Sequence, residues 1–277
     1  MEALEETSLR PEGRPWGYYA PPRAGRYLLG LIKLGFGRGK LRKVILARWR
    51  KQFGDIVDVH VRGVNYRLGL SDNVTDTKIF AASKVYDGPE LAALSHAAKG
   101  GVFVDIGANT GYYTLSVAQA ASCQVIAIEP NPVTLARLKF NIDVNPNLAT
   151  RITVIEAGIG EAGEFELYFA DSLGGASLNS SLFREGARSV KINTRPLQEV
   201  LHDQGIEHVA ALKIDIEGAE DGALVPFFKA APKALWPKAL VIEDTHQHLW
   251  SSDLMENLKA CGYKLSARNG GNAIWER

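Results

Sequence analysis

The chain has 277 residues, 46% of them hydrophobic and 23% charged, with 32 Lys and Arg against 31 Asp and Glu for a formal charge of +1. That length suits one generous domain with an ample core, and the composition excludes a low-complexity or disordered chain. No run approaches about 20 uninterrupted apolar residues, so no membrane-spanning helix is expected. Cys123 and Cys261 are too far apart for a disulfide framework or a cysteine-based zinc site. The opening Met1-Glu-Ala-Leu-Glu-Glu6 is acidic where a secretory leader is basic, so a cytoplasmic setting is expected.

The near-neutral total hides a division. Residues 1–52 hold 12 Lys and Arg and 4 acids, a net +8, and the remaining 225 carry a net −7. Between Arg26 and Lys51 there are nine basic residues and no acid. Pro11, Pro15, Pro21 and Pro22, then Gly35, Gly37 and Gly39, predict an irregular arm followed by one amphipathic helix, a unit spanning residues 1–54. In that helix Leu41, Val44, Ile45, Trp49 and Phe53 recur at helical spacing, with Arg42, Lys43, Arg50 and Lys51 turned away. The basic face is either simply solvated or, over residues 26–51, makes contact with an anionic membrane surface or acidic partner; nucleic acid is a weaker reading.

From residue 55 onward a second unit is expected, with residues 55–98 forming a hairpin and helical cap and 99–277 an α/β core. Residues 55–61 and 65–70 alternate around Arg62-Gly63-Val64, a hairpin pattern. Apolar strands over 102–106, 124–128, 152–156, 209–216 and 239–244 alternate with helices, which predicts a mostly parallel sheet covered on both faces. Residues 163–196, rich in Ser and Gly, read as a β-hairpin inserted beside the sheet.

Val102–Leu115 is an apolar strand running into a glycine-bearing turn and a helix, with Gly107 for the tight turn and Gly111 for close approach. Glu129 ends the next strand, where an acidic residue accepts both hydroxyls of an adenosine ribose. Dinucleotide sites want glycine where Asn109 stands, and Asp105 would repel a pyrophosphate but suits a ligand carrying ammonium and sulfonium groups. S-adenosylmethionine therefore fits better than NAD.

The strings FVDIGANTGYYTL, IAIEPNP, LKIDIEGAE and VIEDTH, spread over about residues 86–246, resemble the FkbM-type S-adenosylmethionine-dependent methyltransferases. The resemblance implies a class I methyltransferase, Rossmann-like fold acting on hydroxyl groups of sugars, glycolipids or polyketide products. It implies cofactor contacts from Asp105, Gly107, Asn109, Gly111, Glu129, Pro130, Asn131, Ala157, Gly158 and Asp215. Glu156-Ala157-Gly158 departs from the Asn-containing segment expected near the adenine.

Asp215 and Glu217 alternate along the strand, which predicts that both reach the crevice on one side, and Glu220 suits the start of the following helix. A carboxylate finishing an apolar strand at a crevice is costly without a partner, which marks Asp215 as functional. His246 is placed to take an acceptor proton, with Asp215 as the alternative catalytic base and Glu243 orienting the imidazole or touching the acceptor. Asp215 and Glu243 find no further oxygen ligands at recognisable spacing, so no metal is expected. Ser177, Asn179 and Ser180, with Glu217, are the expected contacts of a small-molecule or glycan hydroxyl acceptor. Rival readings are an NAD-linked oxidoreductase, an RNA methyltransferase, and a non-catalytic cofactor-binding module docking through the arm on membrane or nucleic acid. The RNA reading is weakened because the Asn/Asp-Pro-Pro-aromatic segment of base-directed enzymes is missing.

Overall fold

The computed structural model describes residues 14–32, 39–82, 85–169, 175–184 and 187–277. The start of the N-terminal arm (1–13), part of the basic stretch (33–38) and parts of the Ser/Gly insertion (170–174 and 185–186) lie outside the described residues.

Two helices open the described chain, α1 (Arg23–Leu31) and α2 (Gly39–Phe53). They cross where Gly25 meets Trp49: a Cβ added at Gly25 would lie 3.0 Å from the indole. Trp49 is buried and meets Phe53 and Phe80 edge-on. The expected apolar face of α2 is narrower than its spacing predicts. Ile45 and Trp49 are buried, but Leu41 and Val44 face solvent, and Arg42 is half-buried. Val44 is rotated about 100° from Ile45 around the helix, and Leu41 sits in its exposed first turn.

Strands β1 (Ile56–Val61) and β2 (Val64–Gly69) form the expected hairpin. Its two-residue turn has Arg62 and Gly63 at φ 51° and 84°, the handedness that matches strand twist. Asp58 and Arg67, paired at 2.7 Å with both side chains buried, pin the preceding segment to this hairpin. Asp58 also accepts from the Gly17 and Tyr19 amides, and Arg67 donates to the carbonyls of Arg14 and Pro15.

There follow α3 (Val74–Ala82), α4 (Gly88–Ala97), β3 (Val102–Ile106), α5 (Tyr112–Ala121), β4 (Gln124–Ile128), α6 (Pro132–Asp143), α7 (Pro146–Ala149) and β5 (Ile152–Ile155). Then come β6 (Gly158–Ile159), β7 (Gly163–Phe169), β8 (Arg188–Arg195), α8 (Leu197–Asp203) and β9 (Ala211–Ile214). The chain ends with α9 (Glu220–Ala230), β10 (Ala239–Glu243), α10 (Leu254–Ala260), β11 (Lys264–Asn269) and β12 (Asn272–Glu276).

The central sheet has the order β11-β12-β10-β9-β3-β4-β5, parallel from β10 to β5 with an antiparallel β12–β11 edge. Strand alternation sends Phe103, Val125, Ala211 and Val241 into one apolar cluster with residues of α3 to α6, the β1–β2 hairpin and Ile32, Ile45 and Trp49. Val104, Ile106, Leu212, Ile214 and Leu240 enter a second cluster with α8, α9 and α10. Chain order reverses between β3 and β9, so the chain runs from these neighbouring strands to helices on opposite faces of the sheet, α5 and α9, and a crevice opens at the strands' carboxyl ends. The expected inserted hairpin is β7 with β8, and β6 joins β8 to make a separate three-stranded sheet. No helix among the described residues is long and apolar enough to cross a membrane.

Removing Asp58 leaves the buried Arg67 guanidinium uncompensated and two backbone amides unbonded. Asp58→Ala is expected to lower the unfolding free energy by about 3 kcal/mol in a urea titration. A loss below about 0.5 kcal/mol, typical of a surface substitution, would contradict this anchoring role.

Candidate functional site

The crevice begins at the turn after β3. Gly107 has φ 75°, and a Cβ there would fall 2.0 Å from the Asp215 carbonyl oxygen, so only glycine lets these two loops touch. Gly111, at φ 94°, faces away from the crevice: its close neighbour is Leu138 of α6. Asn109 is itself left-handed at φ 52°, held by a hydrogen bond from Asn73 to its Oδ1 at 2.7 Å.

A narrow cleft of about 70 Å³ lies against this turn. Its polar lining includes Gly107, Asn109, Glu129, Asp215 and Glu217, with Pro130, Ala157 and Gly158 beside them. Apolar walls come from Ile128, Ile159, Leu167, Leu178 and Ile192. Glu129 is buried, accepting from the Asn109 and Asn131 amides at 2.7 and 2.9 Å and from the Thr134 hydroxyl at 2.9 Å. Burial pushes its carboxyl above the usual range.

Three expected contacts stand outside the cleft lining. Asp105 is fully buried on the opposite face of β3, accepting from Thr114 at 2.6 Å, because strand alternation turns residue 105 toward α5. Gly111 packs on α6. Asn131 is buried as the cap of α6, accepting from the Val133 amide.

A second cavity of about 660 Å³ adjoins the first, and Asp215 and Glu217 line both. Its walls include Glu243, Thr245, Tyr86, Asp87, Tyr113 and the Gly270–Asn272 turn, with Arg42, Lys78, Val74 and Val85 also contributing. Asp215 and Glu217 do not reach it by strand alternation. Strand β9 ends at Ile214, and Glu217 adopts φ 55° in the following loop, which Glu220 holds by accepting from the Ile216 and Gly218 amides. Glu220 thus starts α9 and shapes the loop before it.

His246 does not line either cavity. Its Nε2 lies 3.1 Å from Glu217 Oε2, so its partner is Glu217, while Glu243 accepts from the Thr245 amide at 3.2 Å. The expected His246–Glu243 pairing is replaced because the left-handed Glu217 carries its carboxylate across to the imidazole. Burial, then the nearby Asp215 and Glu243 carboxylates, push Glu217 up to about 8. Burial likewise raises Glu243 to about 7 and lifts Asp87.

Ser177 and Asn179 of the insertion are engaged by the fold itself. Ser177 is buried and donates to the Glu217 carbonyl at 2.7 Å, the Asn179 side chain accepts from the Ser181 amide, and Ser180 is exposed and lines neither cavity. Ser177 thereby holds the Ala176–Leu178 wall against the cleft.

Lys213 was not singled out by its motif. It is buried on β9, donates to the Gly107 carbonyl at 2.8 Å, and lies 3.5 Å from Asp215 and 3.8 Å from Asp105. Burial pushes its ammonium down, but Asp215, Asp105 and Glu129 more than offset this and keep it above the usual lysine value. The available signal was a lysine inside an apolar strand flanked by acids, which demands buried carboxylate partners.

The donor set fits S-adenosylmethionine. The cleft lining has three carboxylates and no Lys, Arg or His, which suits a cationic ligand and opposes a pyrophosphate. Glu129 would hold the ribose hydroxyls, the apolar walls the adenine, and Asp215 the cationic amino-acid end. Gly107→Ala is expected to lower the unfolding free energy by about 2–4 kcal/mol, whereas Gly222→Ala, which meets nothing within 4 Å, should be neutral or stabilising. Equal unfolding midpoints for the two variants would contradict the close approach.

The methyltransferase FkbM domain matches residues 105–265. Methyltransferase sdnD of Sordaria araneosa is 29% identical over 147 residues, covering 42% of this chain and 56% of that protein. The chain therefore spans little more than half the length of this curated relative. The precorrin-6y C5,15-methyltransferase of Geobacter metallireducens overlays with a TM-score of 0.42 at 15% identity, covering 70% of this chain and 86% of that one. TYW2 of M. jannaschii in complex with AdoMet gives 0.38 at 16% identity, covering 80% and 87%. With the domain matched over more than half its length, the chain belongs to the FkbM methyltransferase family, a family of S-adenosylmethionine-dependent enzymes.

Proposed function

We propose that this chain transfers a methyl group from S-adenosylmethionine to a hydroxyl oxygen of a sugar, glycolipid or polyketide-type acceptor. The observation that carries the reading is the shared wall: Asp215 and Glu217 line both the narrow cleft and the larger cavity, so ligands in the two meet there. When bound, S-adenosylmethionine supplies an electrophilic methyl on its sulfonium. Methyl transfer needs the acceptor oxygen in line with that methyl, so the protein's main contribution is positioning. The acceptor cavity offers Tyr86, Thr75, Thr245, Asn269 and Asn272 as hydrogen-bonding partners for a polyhydroxylated molecule.

Glu217, facing the acceptor, takes the hydroxyl proton as the oxygen attacks. His246 positions that carboxylate from behind and shares its proton. Glu243, which lines the cavity, contacts the acceptor. The hydroxyls of Ser177 and Asn179's amide act through the wall they hold rather than on the acceptor directly. Cys123 and Cys261 are unpaired thiols, in keeping with a reducing, cytoplasmic setting. An oxidoreductase using NAD is disfavoured by the carboxylates around the cleft.

Glu129→Ala should weaken S-adenosylmethionine binding about tenfold or more in a calorimetric titration, from loss of charge-assisted hydrogen bonds. Unchanged affinity would reject the ribose role. Glu217→Gln should abolish turnover, while His246→Asn should slow turnover and move its pH dependence. The working base is the ionised carboxylate, so the wild-type rate should climb with pH and level off above about 8. A flat profile across that range would remove Glu217 as base.

Stability has the opposite dependence. From the ordinary glutamate value up to about 8, folded Glu217 holds a proton that the unfolded chain has released, so its contribution falls as pH rises. Glu217→Gln should therefore raise the melting temperature above pH 8 by roughly 2 °C or more. A lower melting temperature there would show that the charged form is stabilised instead.

A further inference from the structure

Of the ten large hydrophobic side chains exposed among the described residues, eight fall between Trp16 and Val85. On α1 the exposed stripe is Ala24, Tyr27 and Leu31, at helical spacing, with Tyr27 80% exposed and Arg23 and Arg26 beside it. On α2 it is Leu41 and Val44, the latter 61% exposed, flanked by Lys43 and Arg48. Neither helix contains an acidic residue. Two more exposed aliphatic residues, Val74 and Val85, line the larger cavity and so stand at its mouth, together with Arg42 and Lys78.

We infer that α1, α2 and this rim form a docking surface for an anionic lipid bilayer, with the mouth of the larger cavity facing the headgroups. An interfacial helix that combines an exposed apolar stripe with flanking arginine and lysine seats the first in the acyl boundary and the second on anionic headgroups. On α1, α2 and the cavity rim every exposed apolar residue except Tyr27 is aliphatic and offers no stacking face to a base, and Tyr27 lies in one stripe with Leu31, which favours lipid over a nucleic acid strand. A second copy of the chain is disfavoured because the surface belongs to a segment of net charge +8 that would meet its own like charge. The docking stands independently of methyl transfer. Only the corollary that the acceptor reaches the cavity from the membrane surface rests on the function proposed above.

The test is flotation of the full chain with vesicles of phosphatidylcholine mixed with phosphatidylserine and with phosphatidylcholine alone. Leu41→Glu/Val44→Glu and, separately, Tyr27→Glu are the variants, all at exposed positions that leave the core intact. The wild type should float with the mixed vesicles and partition at least roughly tenfold more weakly onto phosphatidylcholine alone, and the double variant should lose about tenfold on the mixed vesicles. Cofactor affinity measured on the same samples should be unchanged, which separates failure of docking from failure of the methyltransferase reading. The inference is overturned if the wild type does not float with anionic vesicles, or if the double variant floats equally well. It is likewise overturned if a single-stranded RNA binds in place of vesicles, or if the substitutions instead dissolve a dimer seen by sedimentation.

Discussion

The Lys213 ammonium donates to the Gly107 carbonyl at 2.8 Å and stands within 4 Å of both Asp105 and Asp215. A buried ammonium is tolerable only with compensating carboxylates, and buried carboxylates only with compensating charge or donors. Asp105 and Lys213 are register partners on adjacent strands, so the sheet itself brings them together. The same lysine bonds the backbone of the glycine turn, and Gly107 in turn leaves no room for a Cβ beside Asp215. Charge and sterics together therefore set the spacing of the two loops that form the crevice.

Acidity at this edge follows from that arrangement. Asp215 and Glu217 stand on the loop whose start Lys213 fixes, and Glu243 ends the neighbouring strand β10. Burial and mutual repulsion raise Glu217 and Glu243 toward neutrality, which makes Glu217 a stronger proton acceptor than an ordinary carboxylate. A cationic ligand at this edge would offset the repulsion between these carboxylates.

The sheet and the glycine turn were legible in the sequence because apolar strands, Gly107 and Glu129 follow local rules that packing here does not override. The inserted hairpin was legible for the same reason. What escaped was set by torsions and long-range contacts. The left-handed backbone at Glu217 redirects its carboxylate to His246, and no period of 2 or 3.6 announces that. Asp105 looked like a ligand because it precedes the turn, yet strand alternation hides it under α5. Ser177 carries a hydroxyl suited to a polyol, but its bond to the Glu217 carbonyl spends that hydroxyl on the fold. Leu41 and Val44 matched an apolar face that the neighbouring helices do not cover.

In the proposed function the two cavities meet at Asp215 and Glu217 around a cationic cofactor. A crystal structure with S-adenosylhomocysteine bound tests it most directly. The expected result is ribose hydroxyls on Glu129, with the sulfur beside Asp215 and turned toward the larger cavity. A ligand bound elsewhere, or with its sulfur facing away from Asp215 and Glu217, would contradict it.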